Sequence, residues 1–347
     1  MPLPGQGAVP TGALFNELTA ATRRAFVPRL FVQIYFATPT LFMLLGGAQR
    51  AAGGLSQITV PIQGNSMVQG QFTGYGGGFN SPVITPGVQN AQFPLDYWVV
   101  PIPLPFGETV IQATDREISL LKARMNDAWA VTVQNMAGLL FSNNTANSLL
   151  PNSFIDGFDN GTNIATYGGI NRNSVGNTSW QGQVYTASAS SGLSGAVGFS
   201  RQTMSSAIIT ITDAAGGESP TYVIMNPGDF ATLNNTFIGS ETIFNRPGQE
   251  WTMGTPVRAS FPNLNVAGVP IFADHFCPVG SAFWVNSKYT NMYGSEDAMF
   301  DFSGFYSLVP LGQIGQQGVV VLGYNVVTAK PSSNAIVNGI SSPSTTF

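Results

Sequence analysis

The two residues of this chain whose types suggest a reactive pair are His275 and Cys277, in the segment ADHFCPVG. The chain has one histidine and one cysteine, which excludes an internal disulfide and a zinc site built from several such ligands. A nucleophilic cysteine also needs a histidine that a third group holds in place, and no such group is evident. We therefore interpret Cys277 as a small buried thiol beside a turn, and predict no catalytic residues, metal site or cofactor.

A second unusual segment is YGGINRNSVGNTSW, which begins at Tyr167 and ends at Trp180. It is too polar for a buried strand and too poor in acids for a metal loop, yet its two large aromatic rings need a surface to pack on. Gly168 and Gly169 permit a tight turn, and Arg172 supplies a cation for one salt bridge. The segment is either an inter-subunit contact or an intramolecular loop clamp, and the sequence leaves both open.

The composition favours a protein whose surface is buried in contacts with other molecules. Charged residues make up 9 % of the chain, against about 25 % in a typical soluble domain, and 40 glycines and 23 prolines are spread along it. So little charge favours burial of the surface against copies of the same chain or against lipid. The net charge of −4 argues against a dedicated nucleic-acid reader, which is normally basic.

The first 50 residues differ from the rest in charge. They carry a net +3, with Arg23, Arg24 and Arg29 among the cations, and the remainder carries −7. Residues 11–26 place apolar side chains at helical spacing, which predicts a short amphipathic helix that docks on a partner. The pattern is either a mildly basic arm on an acidic body or a chance cluster of arginines.

The strongest apolar run, residues 30–48, is long enough to cross a bilayer as a helix. Gln33 and the Thr-Pro-Thr sequence at 38–40 interrupt it, and proline would kink such a helix. No second span is available to bury the polar groups. We predict no membrane span.

Residues 53–105 contain two strand-like runs, LSQITVPIQG and FPLDYWVVPIP, on either side of the glycine-rich GQFTGYGGGFN. They predict two long β arms joined at a flexible tip. Arms of about 15 residues would reach about 50 Å. Because an isolated hairpin of that length is only marginally stable, we expect it to lie on a neighbouring molecule.

The clearest single element is a helix predicted over residues 113–140, about 42 Å long. Thr114 and Glu117 form a capping box at its start. A one-sided apolar stripe predicts that the helix braces a sheet. The stripe consists of Ile118, Leu121, Met125, Trp129, Thr132 or Val133, Met136 and Leu140.

The rest of the chain mixes helices and strands. After a loop-rich stretch over 142–200, we predict a helix over 200–217, a buried strand that leads into a helix start at 227–229, and several β-rich runs. The tail from Ser332 onward is rich in Ser, Asn and Thr and is predicted to be disordered or an accessory arm. The fold class is α+β.

The order of these elements resembles the major capsid protein of tailed bacteriophages, whose shell fold is named for phage Hong Kong 97. YGGINR with the nearby Trp180 resembles the segment after the spine helix in one large group of these proteins, and VAGVPIFADHF and YVIMNPGDF resemble their strand segments. The resemblance covers nearly the whole chain and implies the following division. The parts are an N-terminal arm and lead-in (1–52), an extension loop (53–105), a peripheral domain with the spine helix (106–184), an axial domain (185–305), and a return to the peripheral domain with a tail (306–347).

The resemblance implies a structural role rather than an enzymatic one. Subunits would self-assemble as hexamers and pentamers into an icosahedral head shell that encloses a double-stranded DNA genome. Expected partners are a separate scaffolding protein, a portal, decoration proteins, and packaged DNA in nonspecific contact with Arg23, Arg24 and Arg29. The expected location is the virion capsid, assembled in the host cytoplasm. Residues 53–105 contain no lysine, so lysine cross-linking through the extension loop is not expected.

Two alternatives to the phage capsid are open. An encapsulin, which encloses an enzyme instead of a genome, would keep the fold and change its purpose. An outer-membrane porin, suggested by the Gly/Asn/aromatic composition, would need many alternating strands, a signal peptide and no helix of 28 residues. An enzyme is disfavoured because the chain has no cluster of titratable groups.

Overall fold

The fold is described from a computed structural model of the chain. The residues it describes are 38–51, 57–64, 72–73, 75–77, 87–105, 120–145, 147, 149–186, 201–238, 252–253, 255–256, 263–308 and 315–339. They divide into two compact units. One contains the described parts of 97–135 and 298–322, and the other contains those of 37–96, 136–297 and 323–347.

A four-stranded sheet includes the longest strands of the chain. Its strands are β1 (Gln49–Ala51), β4 (Asp96–Pro105), β14 (Thr290–Ser307) and β15 (Gly315–Thr328), in the order β1-β14-β15-β4. β4 therefore lies at one end of the sheet, a position that tolerates the missing N–H groups of Pro101 and Pro103. The Arg124 guanidinium donates a hydrogen bond to the Pro103 carbonyl at 2.9 Å, which links the long helix to this strand.

The long predicted helix is present, and its described part, α2, runs over Leu120–Leu139. Its predicted start, with Thr114 and Glu117, lies outside the described residues. Ala128, Thr132 and Met136 are buried at intervals of four, and the Thr132 hydroxyl donates to the Ala128 carbonyl at 2.8 Å. The prediction for Trp129 was wrong: it is 50 % exposed, because it lies about 100° around the helix from Ala128.

A six-stranded sheet forms the core of the second unit. Its strands run in the order β11-β12-β8-β13-β16-β7. Their bounds are β7 Gln183–Thr186, β8 Tyr222–Met225, β11 Asn263–Val266, β12 Val269–Ala273, β13 Ala282–Val285 and β16 Ala335–Asn338. Every residue of β8 and β13 is buried, as expected for central strands.

Two helices pack on this sheet and complete its core. α4 (Arg201–Ala214) contributes Met204, Ala207, Ile208 and Ile211, and α5 (Pro227–Ile238) contributes Leu233. The predicted stop of α4 at glycines is confirmed, since Gly216 and Gly217 have φ of 71° and 95°. α5 begins at Pro227, and the Asn226 side chain accepts a hydrogen bond from the Gly228 amide at 3.0 Å.

The tail does not begin at Ser332 as predicted. Pro331–Ser333 form a 3-10 turn, and β16 pairs with β13 on one side and with β7 on the other. Polar side chains misled the prediction because they satisfy buried backbone groups: the Asn334 carboxamide oxygen accepts from the Asn286 amide at 2.6 Å. Residues 340–347 lie outside the described part of the chain.

The apolar run at 30–48 contains a short helix, α1 (Pro39–Gly46). Pro39 occupies the first turn of this helix, where a missing N–H costs nothing, instead of kinking a longer one. Within the described residues, no helix combines the length and the apolar character that a membrane crossing requires.

The predicted hairpin is present with a different second arm. β2 (Gln57–Gln63) pairs antiparallel with β3 (Val88–Pro94), from Gln57 opposite Pro94 to Gln63 opposite Val88. Of the run 93–103, predicted as that arm, the first two residues end β3 and residues 96–103 belong to β4. Proline ends β3, and further prolines confine the following residues to the end of a sheet. β9 (Thr252–Met253) and β10 (Thr255–Pro256) form a further small hairpin.

Candidate functional site

The segment YGGINRNSVGNTSW begins with a tight hairpin. β5 (Thr166–Tyr167) pairs antiparallel with β6 (Ile170–Asn171). Gly168 and Gly169, the two central residues, have φ of 59° and 77°. Positive φ at both positions is the requirement of a type I′ turn, and glycine meets it without a Cβ penalty.

Tyr167 lies at the centre of the site and is 3 % exposed. Its hydroxyl oxygen accepts a hydrogen bond from the Thr328 amide at 3.0 Å. Its ring packs against Phe93 at a centroid distance of 4.9 Å and against Trp180 at 5.7 Å. Burial raises the pKa of Tyr167 to about 12, so the phenol is neutral at physiological pH.

Arg172 is completely buried beside this ring, and its guanidinium carbon lies 4.7 Å from the Tyr167 centroid. One terminal nitrogen, Nη2, donates to the carbonyls of Asp156 at 2.8 Å and Gly157 at 3.0 Å. The other, Nη1, lies 4.0 Å from the Asp159 carboxylate. Burial lowers the pKa of Arg172, since it disfavours the charged form.

The Asp156 and Gly157 carbonyls both belong to a short helix, α3 (Phe154–Phe158). Ser153 and Asp156 close a capping box at the start of this helix. The Asp159 carboxylate accepts from the amides of Gly161, Asn163 and Ile164 at 2.8 to 3.2 Å. Arg172 therefore joins the turn to a short helix whose start is capped by Asp156 and whose following loop is held by Asp159.

Trp180 closes the segment from a 3-10 turn, Thr178–Trp180, and is 3 % exposed. Its indole N–H donates to the Tyr167 carbonyl at 3.0 Å, which links the two ends of the segment. Directly after it, a Cβ on Gly182 would lie 2.0 Å from the Phe158 carbonyl oxygen. Only glycine permits this close approach, and β7 follows at once.

The structure brings Tyr167, Gly168, Arg172 and Trp180 together inside one chain. Gly169 belongs to the same turn but has open space around it. The predicted DNA-facing arginines, Arg23, Arg24 and Arg29, lie outside the described residues. The carboxylates of α3, the ring of Phe93 and the amide of Thr328 were missed, because their positions in the sequence are remote from the turn and no local pattern marks them.

Cys277 is buried, and its sulfur lies 3.6 Å from the Ser281 carbonyl oxygen. Burial, reinforced by the charges of Asp274 and Asp229, raises the pKa of the Cys277 thiol well above its usual value. Burial therefore favours the protonated form of the thiol. Among the described residues, no group of three or more His, Cys, Asp or Glu side chains is placed to hold a metal ion.

Comparisons with known proteins give matches in structure only. No protein-family model and no curated protein matches this sequence. The capsid asymmetric unit of cyanophage A-1(L) is similar, with a TM-score of 0.65 and 15 % identity over 91 % of this chain and 96 % of the other. This chain has the Hong Kong 97-type shell fold.

Further structures with this fold have different roles. The capsid of Myoviridae phage XM1 matches with a TM-score of 0.56 and 12 % identity, over 91 % of this chain and 96 % of the other. A holo-SrpI encapsulin complex from Synechococcus elongatus matches with a TM-score of 0.56 and 7 % identity, over 90 % and 92 %. The predicted shell fold is confirmed, and an outer-membrane porin is incompatible with it.

Proposed function

We propose that this protein is the major capsid protein of a tailed phage, a structural protein that assembles into the icosahedral head shell around double-stranded DNA. The observation that carries the proposal is the fold match to phage capsid subunits along nearly their whole length, 96 % of the cyanophage chain. A shell of this kind needs repeated rotational contacts between identical subunits, which close into rings of five and six copies.

The surface of the chain supports assembly. Phe72 and Tyr75, in the segment that joins β2 to β3, are fully exposed. Large aromatic side chains in water favour contact with another molecule, because burying them recovers apolar area at about 25 cal/mol per Å². We assign residues 53–105 to the extension loop, with this tip against a neighbouring subunit. We further assign residues 185–305 to the axial domain, and residues 106–184 and 306–347 to the peripheral domain.

We assign the segment from Tyr167 to Trp180 to an intramolecular clamp, in preference to an inter-subunit contact. The support is that both aromatic rings and Arg172 are already buried within a single chain, so they have no surface left to offer to a neighbour. Substitution of Trp180 by alanine tests the assignment. A clamp predicts loss of the folded subunit, whereas an interface predicts a folded subunit that does not assemble.

The remaining partners are part of the same proposal. A separate scaffolding protein, a portal and decoration proteins would join the shell, which would form in the host cytoplasm and end in the virion capsid. Arg23, Arg24 and Arg29 would make nonspecific, salt-sensitive contacts with packaged DNA. Their substitution by glutamine should weaken DNA retention without preventing shell formation.

An encapsulin shell is the second candidate, favoured by the match to the Synechococcus elongatus complex. To separate the two, the protein is expressed alone in bacteria, fractionated by sedimentation without detergent and imaged by negative-stain electron microscopy. Closed shells, tubes or hexameric rings support the proposal, and a protein that stays monomeric both alone and when co-expressed with the neighbouring genes that would supply a scaffold refutes it. Co-expression with the neighbouring genes then decides the cargo: nuclease-protected DNA indicates a capsid and a co-purifying enzyme indicates an encapsulin.

A further inference from the structure

The turn at Gly168 contacts more than its own segment, because the hairpin formed by β2 and β3 packs directly on it. A Cβ placed on Gly168 would lie 2.7 Å from Cζ of Phe93 and 3.0 Å from the Cβ of Ala91, both on β3. The Gln92 amide donates to the Gly168 carbonyl at 2.9 Å. Side chains of β2 and β3 share one apolar cluster with the segment. The cluster contains Ile58, Ala91, Phe93, Leu95, Tyr167, Ile170, Trp180 and Val327.

Contacts continue along the hairpin toward its tip. The Gln89 side-chain amide donates to the Asn177 side-chain oxygen at 3.2 Å. The Ser179 hydroxyl donates to the Gly64 carbonyl at 3.4 Å. Gly64 directly follows β2, so the segment contacts the hairpin from its base to the end of its paired strands. All of these residues belong to the same compact unit.

We infer that the segment from Tyr167 to Trp180 is a seat that holds the β2/β3 hairpin and fixes the direction in which its exposed tip leaves the subunit. The inference rests on the proposed function for its consequence, which is that regular shells need a correctly seated hairpin. A hairpin of two seven-residue strands is only marginally stable when nothing supports it. The seat fixes the conformation of the hairpin before subunits bind each other, which lowers the conformational entropy lost on assembly.

The two glycines of the turn provide a matched pair of variants. Gly168→Ala and Gly169→Ala both force a side chain into a left-handed backbone conformation, with φ of 59° and 77°. A Cβ on Gly168 collides with the hairpin, whereas a Cβ on Gly169 has nothing within 4 Å. Any difference between the two variants therefore reports the contact between turn and hairpin.

Hydrogen exchange of the full-length subunit measures the seat. We expect the Gln92 amide to exchange at least about tenfold faster in Gly168→Ala than in Gly169→Ala, with the amide of Val223 in the central sheet unchanged in both. Equal exchange of Gln92 in the two variants would overturn the inference. If Gly168→Ala does not fold, the double variant Gln89→Ala with Ser179→Ala removes one partly buried and one exposed hydrogen bond between segment and hairpin, and Asn90→Ala on the same strand is its control.

Electron microscopy of the same proteins measures the consequence for assembly. We expect Gly168→Ala to give few or irregular shells and Gly169→Ala to give shells like those of the wild type. Faster exchange of Gln92 together with regular shells would overturn the positioning role. A wild-type protein that forms no shells, either alone or co-expressed with the neighbouring genes that would supply a scaffold, refutes the proposed function and the positioning role with it. The exchange data still decide whether the seat holds the hairpin.

Discussion

Replacement of Arg172 by methionine should destabilise the second unit strongly, although the ion pair of this arginine is long. Its guanidinium lies 4.0 Å from the Asp159 carboxylate, but it also donates to two buried carbonyls at 2.8 and 3.0 Å. Hydrogen bonds from a charged donor contribute about 1.5 to 3 kcal/mol each. Because methionine fills a similar volume and avoids the desolvation of a cation, we expect a net loss of about 3 kcal/mol.

The measurement is equilibrium urea unfolding of the purified subunit, kept too dilute to assemble and followed by circular dichroism. With a slope of about 2 to 3 kcal/mol per molar urea, a loss of this size moves the unfolding midpoint down by about 1 M. The matched control is Lys288→Met. The Lys288 ammonium lies closer to its partner, 3.1 Å from the Glu218 carboxylate, but its side chain is 63 % exposed.

If distance decided the contribution of an ion pair, the Lys288 variant would be less stable than the Arg172 variant. If burial decides, the Lys288 variant should unfold like the wild type, since water and salt screen exposed pairs. A loss of less than about 1 kcal/mol for Arg172→Met would refute the reasoning, because it would mean that the carbonyls of α3 do not need the guanidinium.

Three further predictions concern other positions. Burial raises the pKa of Asp96 from 3.8 to about 6. The free energy of unfolding therefore falls as pH rises from 3.8 to about 6, and the loss is complete above that range. Asp96→Asn should therefore raise stability at pH 7.5 by about 1 kcal/mol after allowance for partial exposure, and equal urea midpoints at pH 7.5 would contradict this. Gly182→Ala should leave the subunit insoluble, because its Cβ would lie 2.0 Å from the Phe158 carbonyl oxygen; a soluble variant with a wild-type melting temperature would show that the loop has room. Cys277 should react with a thiol reagent such as Ellman's reagent only after unfolding, and rapid reaction of the native subunit would disprove its burial.

The features that the sequence predicted well are those with a local physical cause. Periodic apolar residues predicted α2, glycines predicted the end of α4, and the pair Gly168 and Gly169 predicted the tight turn. The errors arose where distant residues decide. Trp129 belongs to an apolar stripe by spacing but lies beside the buried face, and the polar tail after Ser332 forms a sheet strand.

The candidate site was predicted only in part for the same reason. Tyr167 and Trp180 were recognisable as rings that need burial, but the surface that buries them comes from β3 and β15, far away in the chain. The second arm of the hairpin was misassigned because the sequences of β3 and β4 both favour a strand. Only the positions of the prolines distinguish β3, which pairs with β2, from β4, which lies at the end of another sheet. The sequence shows which side chains need a surface to pack on, but it does not show which distant residues supply that surface.

The position of β16 has a consequence for the order of events during synthesis. β7, which begins three residues after Trp180, lies at the end of the six-stranded sheet and pairs with β16, whose residues are 335–338. At about 5 to 20 residues per second, a ribosome needs roughly 8 to 30 seconds to travel from β7 to β16. Throughout that interval β7 lacks the one strand with which it pairs among the described residues. The six-stranded sheet, with the core that it forms, is therefore completed only when almost the whole chain has been synthesised.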